Sequence, residues 1–322
     1  MADRHKKIKK MKKHLLLSAI LLSMFFYAGA QQSDTAQVLL HYKFSHVRDT
    51  ANRANPYTEN MVLFVGKNAG AYRSYDRQLQ NQLFKKQMQE AIANSPDGRI
   101  QINRHVTGSG TVYFQFPNEQ KLVRNEELFG SYIIDEQIPA INWKITGDTA
   151  SFGELHCQKA TTHFKGRNYV VWFCPDLPVH VGPWKLNGLP GVIVDAHDTK
   201  NDVIFKFDGV EKVAYKPLDK KSAQGPSIDQ PGKRIMTIGM DDMNEDPNLV
   251  QVPVKGTKTS NSKFEHMKET LQKDPDAFAR MLSASQGGGG DGPGNGPRPD
   301  KIKIKLGPQP VINNPIELPE KQ

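Results

Sequence analysis

The stretch Gly182–Asp198, GPWKLNGLPGVIVDAHD, constrains the fold of this chain more than any other. Two Gly and Pro turn signals frame an apolar run that reads as a buried strand. In Leu189-Pro190-Gly191-Val192, proline presets the first central residue of a type II turn and glycine supplies the positive φ of the second. Gly188, Leu189, Pro190 and Gly191 are therefore expected to form a structural turn that carries no chemistry of its own.

The first thirty residues set the compartment. Arg4, Lys6, Lys7, Lys9, Lys10, Lys12 and Lys13 precede an apolar run from Leu15 to Tyr27, and Ala28-Gly29-Ala30 follows. A basic leader, an apolar run too short for the roughly 20 residues of a membrane span, and a small-x-small site predict a secretory signal peptide cleaved after Ala30. The expected location is periplasmic or secreted, with no transmembrane span in the mature chain. The full sequence has 43 Lys and Arg against 34 Asp and Glu; the leader holds 7 and 1 of these, which leaves 36 against 33, a net +3. A charge so close to balance argues against a nucleic-acid partner.

Export also frames the two cysteines, since an even count in an oxidising compartment favours a disulfide. If Lys165-Gly166 is the turn of a hairpin, paired residue numbers sum to 331, which sets Cys157 opposite Cys174. A bridge between them is worth on the order of 3 kcal/mol. The alternative is two unpaired buried cysteines.

Period-2 alternation marks half-buried strands at Val38, Leu40, Tyr42 and Phe44, at Met61, Leu63 and Val65, and at Val112, Phe114 and Phe116. It recurs at Val170 and Trp172, and at Val203, Phe205 and Phe207. A helix begins near Asp76 as N-cap, with Leu79, Leu83, Phe84, Met88, Ala91 and Ile92 as a core-facing stripe, and stops at Asn94-Ser95-Pro96-Asp97-Gly98. Further on, Ser262 and Glu265 have capping-box spacing ahead of Phe264, Met267 and Leu271, and Asp274-Pro275 opens a helix carrying Phe278, Met281 and Leu282. The expected organisation is a signal peptide at 1–30, a sheet domain at 31–215, and a polar connection with helical segment at 216–285. A Gly/Pro-rich flexible linker at 286–300 and a strand-like extension at 301–322 complete it, with Lys301–Leu306 and Asn314–Leu318 as short strand candidates. The fold class is α+β: a curved antiparallel, half-barrel-like sheet with one or two packed helices.

The run CQKATTHFKGRNYVVWF, the following Pro178, GPWKLNGLPG and the terminal NPIEL together resemble the GLPGLI family of exported proteins from the Bacteroidetes lineage. The chain departs from the name-giving motif in having Val192 where leucine is expected. The resemblance implies export and a strand-turn-strand core, and it supplies no catalytic residues.

For chemistry, Asp195, His197 and Asp198 follow the apolar run as a candidate base or ligand set for an enzyme acting on envelope polymers; their structural alternative is a polar turn. His156, Cys157, His163, Cys174 and His180 lie close enough in sequence to raise a metal site, which a disulfide would disarm, and Met240-Asp241-Asp242-Met243 reads as a loop. No cofactor is expected. Tyr169, Trp172 and Trp184 are the candidate ligand-facing aromatics. The leading functional expectation is a non-enzymatic envelope protein that binds an apolar ligand, a peptide or an outer-membrane partner; an enzyme and a metal-binding protein are the alternatives.

Overall fold

The computed structural model describes residues 34–94, 107–213, 248–286 and 310–320. The proposed leader, the turn-rich run from Pro217 to Lys233, the Met240–Met243 loop, nearly all of the Gly-rich linker and the Lys301–Leu306 strand lie outside the described residues.

In chain order the elements are β1 (Asp34–Thr35), β2 (Val38–His46), β3 (Tyr57–Val65), β4 (Gly70–Ser74), α1 (Tyr75–Asn94), β5 (Val112–Phe116), β6 (Lys121–Glu127), β7 (Ser131–Gln137) and β8 (Lys144–Phe152). They continue with β9 (Leu155–Phe164), β10 (Arg167–Cys174), β11 (Val192–Asp198), β12 (Val203–Lys212), β13 (Leu249–Val250), β14 (Thr257–Lys258), α2 (Asn261–Lys273) and α3 (Pro275–Gln286). Twelve strands form one open sheet in the order β14-β7-β6-β5-β4-β3-β2-β12-β11-β10-β9-β8, antiparallel except where β14 joins β7. The α+β curved sheet expected from the alternation is what is observed.

The path of the chain from β10 to β5 accords with the curl. β5 and β10 stand six places apart in the sheet, about 29 Å on a flat surface at the usual strand spacing. Gly182 follows the last residue of β10, Cys174, by only eight residues, and a turn closed by Leu177 N–H on the Cys174 carbonyl (3.2 Å) shortens that reach. Yet Gly182 is hydrogen-bonded to Gln115 of β5, and Val181 lies so close to Gly70 of β4 that a Cβ there would meet it at 3.1 Å, contacts that suit a sheet bent around this segment. Its inner face carries the larger core, with Leu40, Tyr42, Leu63, Tyr169, Val171, Phe173 and Phe205 around the inserted residues Trp184, Leu186 and Leu189. The outer face carries a second core of Leu39, Val62, Phe64, Phe114, Val123 and Ile133, covered by Val250 and Val252.

The β9–β10 hairpin has the expected register, from Arg167 opposite Phe164 to Phe173 opposite Gln158. Lys165 (φ 52°) and Gly166 (φ 70°) both adopt the left-handed region that a tight two-residue hairpin turn demands. Other expectations need correcting. Val170 and Trp172 are not the buried phase of β10: Tyr169, Val171 and Phe173 are, on the inner face. The α1 stripe is not core, since Leu79 is 40% and Leu83 61% exposed. Its N-cap is Ser74, whose Oγ accepts from Arg77 N–H (3.0 Å), while Asp76 reaches back to Asn60 (2.9 Å). Likewise Ser260, not Ser262, caps α2 by accepting from Lys263 N–H (3.3 Å). Phe264 and Phe278 are buried as expected, against Tyr132 and Phe129, whereas Met281 is exposed. Asn314–Leu318 is no strand; it crosses the β9–β10 turn as an irregular strap.

Candidate functional site

The signature segment leaves β10 and lies across the inner face as a plug before it returns as β11. Gln115 holds it there. Its amide nitrogen faces the carbonyls of Gly182 (3.0 Å), Trp184 (2.9 Å) and Leu186 (3.3 Å), and its oxygen accepts from Gly182 N–H (3.1 Å). Trp143 Nε1 donates to the Asn187 carbonyl (2.8 Å), and Asn187 donates to that of Pro139 (3.1 Å). The Leu189–Val192 stretch is not a type II turn. Gly191 N–H bonds to the Leu189 carbonyl (2.8 Å), and Val192 N–H goes instead to Leu177 (3.0 Å). Glycine is required at 191 because a Cβ there would meet the Cys174 carbonyl oxygen at 2.2 Å. Beyond it, β11 is the buried strand that the apolar run predicts.

The plug places Trp184 at the centre of an aromatic group. Its ring lies 5.7 Å from Phe164, 6.4 Å from Tyr169 and 6.5 Å from Phe205, and Phe205 in turn contacts Tyr72 (6.2 Å). Trp184 has φ 56°, a left-handed conformation that a bulky residue adopts only under external constraint, at a cost of order 1–3 kcal/mol. Trp184 Nε1, Tyr169 Oη and Tyr72 Oη are all buried without a hydrogen-bond partner among the described residues. Tyr42, in the same group, is satisfied, donating to the Ile193 carbonyl (2.7 Å). Burial pushes the Tyr72 and Tyr169 hydroxyls well up from their ordinary pKa, so both remain protonated donors. Of the three aromatics singled out from the sequence, Tyr169 and Trp184 meet here, and Trp172 lies on the opposite phase of β10, against Phe152 (5.9 Å).

A chain of charges edges this group. Lys185, next to Trp184, pairs with Glu317 (2.7 Å) and Glu136 (3.5 Å). Arg124 joins Glu136 (2.6 Å) to Glu126 (2.8 Å). Burial acts to raise the Glu317 pKa, but Lys185 and Lys165 outweigh it and hold the carboxyl below its usual range. Each of these carboxylates faces a cation, which suits orientation and not nucleophilic attack.

The structure disperses the other candidates. Asp195 accepts from Phe207 N–H (3.0 Å) and pairs with Lys206 (3.2 Å). Asp198, the last residue of β11, accepts from the Asp202 (2.7 Å) and Val203 (3.2 Å) N–H groups, so Asp198–Asp202 is a bonded polar turn, whereas Asp195 and His197 lie within the strand. His156 pairs with Asp176 (3.2 Å), His163 with Asn168 (2.7 Å) and Glu320 (2.8 Å), and His180 is exposed. Among the described residues no three His, Cys, Asp or Glu are placed to hold a metal ion.

The expected disulfide is absent. Cys157 and Cys174 are free, buried thiols, although the hairpin register sets them opposite each other. The ladder stops one pair short, at Phe173 and Gln158; Cys174 continues beside Val192 of β11, and Cys157 Sγ donates to the Leu155 carbonyl (3.8 Å). Burial, then the neighbouring Cys174, push the Cys157 thiol pKa up to about 12, and burial raises that of Cys174.

Sequence reasoning passed over Gln115, Tyr72 and Arg167. Gln115 did leave a signal: it is the one polar residue inside the run Val112-Tyr113-Phe114-Gln115-Phe116, and it is buried.

No family model matches the chain, and no curated protein matches it. Among solved structures it is similar to PNGF-II in two crystal forms, P21 and C2, at 12% identity in both. The TM-scores are 0.44 and 0.42, and the matches cover 72% and 73% of this chain and 33% of that chain. The chain thus spans about a third of PNGF-II, and likeness at this level carries no argument about function. No helix among the described residues is long and apolar enough to cross a membrane.

Proposed function

We propose that the chain is an exported envelope protein that binds and does not catalyse, holding a small ligand with an apolar body and at least one hydrogen-bond acceptor against Tyr72, Tyr169 and Trp184. The observation that supports this is the set of three buried, unpartnered polar atoms in one aromatic group, one of them on a tryptophan held in a strained backbone. An unsatisfied buried polar group costs about 1–3 kcal/mol, and the indole N–H can only donate, so a ligand at this group would have to offer an acceptor. The resemblance to the GLPGLI family and the basic, apolar, small-x-small leader support export.

Native mass spectrometry of protein purified from envelope extract tests the binding itself. The wild type should retain an added mass, and Tyr169→Phe and Trp184→Phe should retain it at least tenfold less. Bare wild-type protein, or retention equal in all three, would sink the reading.

A further inference from the structure

The strap at residues 313–320 rests on a surface whose chemistry is that of a peptide-recognition site. Arg167 is its centre and is only 4% exposed. Its Nε donates to the Ile316 carbonyl (2.9 Å), and Nη2 donates to Asn314 Oδ1 (2.8 Å) and the Pro315 carbonyl (2.7 Å). The remaining arm, Nη1, is bound by Asp198 (2.7 Å), with Asp202 at 3.7 Å. Asp202 is itself paired with Arg53. The guanidinium fork is therefore aimed by the β11–β12 turn, independently of anything the strap supplies.

The strap is read residue by residue. Asn314 uses both ends of its amide, the oxygen on Arg167 and the nitrogen donating to the Val47 carbonyl (2.7 Å). Its backbone N–H bonds to the Arg48 carbonyl (3.0 Å), and its carbonyl faces His46 Nε2 (2.8 Å). Aspartate or leucine would fail one or both of the side-chain bonds. Asn313 adds Asp49 (2.6 Å) and the Thr50 N–H (2.9 Å). Pro315 removes a donor that would have no acceptor in such a crossing and fixes φ. Ile316 packs on the inner core. Glu317 reaches Lys165 (3.2 Å) and Lys185, and Glu320 reaches His163 and the Gly166 N–H (3.0 Å). A Cβ at Gly166 would stand 2.7 Å from Leu318 Cβ, so the turn glycine also makes room for this crossing. Only one backbone bond of strand type, Leu318 N–H to the Lys165 carbonyl (3.0 Å), joins strap to hairpin. Recognition combines the side chains of Asn313, Asn314, Glu317 and Glu320 with backbone bonds at residues 313–316, and it is not strand addition.

We infer that the groove formed by Arg167, residues 46–50 and the Lys165–Gly166 turn is a binding site for a short peptide of the pattern Asn-Asn-Pro-apolar-Glu, and that this chain's own C-terminal strap occupies it as a ligand in cis. The groove is built from core strands and turns, and 23 residues of sequence, 287–309, separate the strap segment from the end of α3. This site adjoins the aromatic group through the Lys185–Glu317 pair and Ile316, but its test below reads peptide exchange and does not depend on that group's holding a ligand.

The test keeps the chain whole until it has folded. A protease site is inserted between Gly290 and Asp291, the purified protein is cut, and the fate of the C-terminal fragment is followed by gel filtration. The fragment should co-elute with the core and be displaced by a synthetic peptide of residues 310–322, while the same peptide carrying Asn314→Ala competes at least tenfold less well. Immediate loss of the fragment on cleavage would overturn the inference, and so would equal competition by the two peptides. A fragment that neither peptide displaces would also overturn it, because the strap is then an integral part of the core and not a ligand.

Discussion

The two faces of this sheet solve burial differently. The outer face is closed by aliphatic and aromatic side chains, Leu39, Val62, Phe64, Phe114 and Val123 under Val250 and Val252, with little polar atom left to satisfy. The inner face is closed by a loop and a strap, and both bring backbone polar groups into the core. Gln115 meets those of the loop and Arg167 those of the strap. Stability on the outer face should thus follow apolar area, whereas on the inner face it should hinge on two polar side chains.

Arg167→Met should have the largest effect. It removes the partner of Asp198 and three strap acceptors together, leaving a buried carboxylate unpaired, which costs about 3–5 kcal/mol. Arg167→Lys should recover little, because an ammonium cannot reproduce the fork. Denaturant midpoints read both; a loss under 1 kcal/mol for Arg167→Met would erase the contrast between the faces.

Gln115→Ala follows, with an expected loss of about 3 kcal/mol, since it strands the Gly182 N–H and carbonyls of the plug. Because the plug also sets the backbone of Trp184, its near-ultraviolet circular dichroism should change. Val123→Ala on the outer face should cost a comparable amount through lost packing, without that spectral change.

How far these features were legible depends on how local their causes are. The β9–β10 register could be read because it is fixed by two adjacent residues, Lys165 and Gly166. The buried phase of β10 could not, since Val170 and Trp172 are as apolar as Tyr169, Val171 and Phe173, and the plug that buries the second set arrives from outside the hairpin. Leu189-Pro190-Gly191 has the composition of a type II turn, but the approach of the Cys174 carbonyl decides its geometry. The pairing of the cysteines is a different case: the register brings Cys157 and Cys174 opposite, as the turn predicts, and they stand there as neighbouring free thiols with no bridge between them. Arg167 gave no warning in sequence, as its partners lie 31 and 147 to 149 positions away.

Tyr169→Phe sharpens the comparison with a change of sign. Removing a buried hydroxyl that has no protein partner should stabilise the ligand-free protein by about 1 kcal/mol, while weakening ligand retention. Among the described residues the outer-face core holds no buried tyrosine with an unpartnered hydroxyl. A destabilised, ligand-free Tyr169→Phe would mean that the hydroxyl is already satisfied.

The strap should respond to pH through His46. Burial is the largest influence on this ring and lowers its pKa from 6.5; Arg48 and Arg167 lower it further, and the Asn314 carbonyl and Asp202 oppose them. A lowered folded value means that the His46 contribution is present above pH 6.5 and is lost as the pH falls through that lowered value. His163 acts in the opposite sense, because Asn168 and Glu320 raise its pKa, and its contribution is lost as the pH rises. In a His163→Gln background, melting temperature should therefore decline from pH 7 to 5 more steeply than in the same protein carrying His46→Gln.

The smallest effect is expected on α1. Leu83 is 61% exposed and Leu79 40%, so the stripe that sequence periodicity assigns to the core contributes little buried area. Leu83→Gln should change stability by no more than about 0.5 kcal/mol, as surface substitutions do. An equally small effect on expression and solubility would leave α1 a solvated helix. A loss of more than 2 kcal/mol would instead show that the leucine is covered in solution, and hydrogen exchange along Tyr75–Asn94 would locate what covers it.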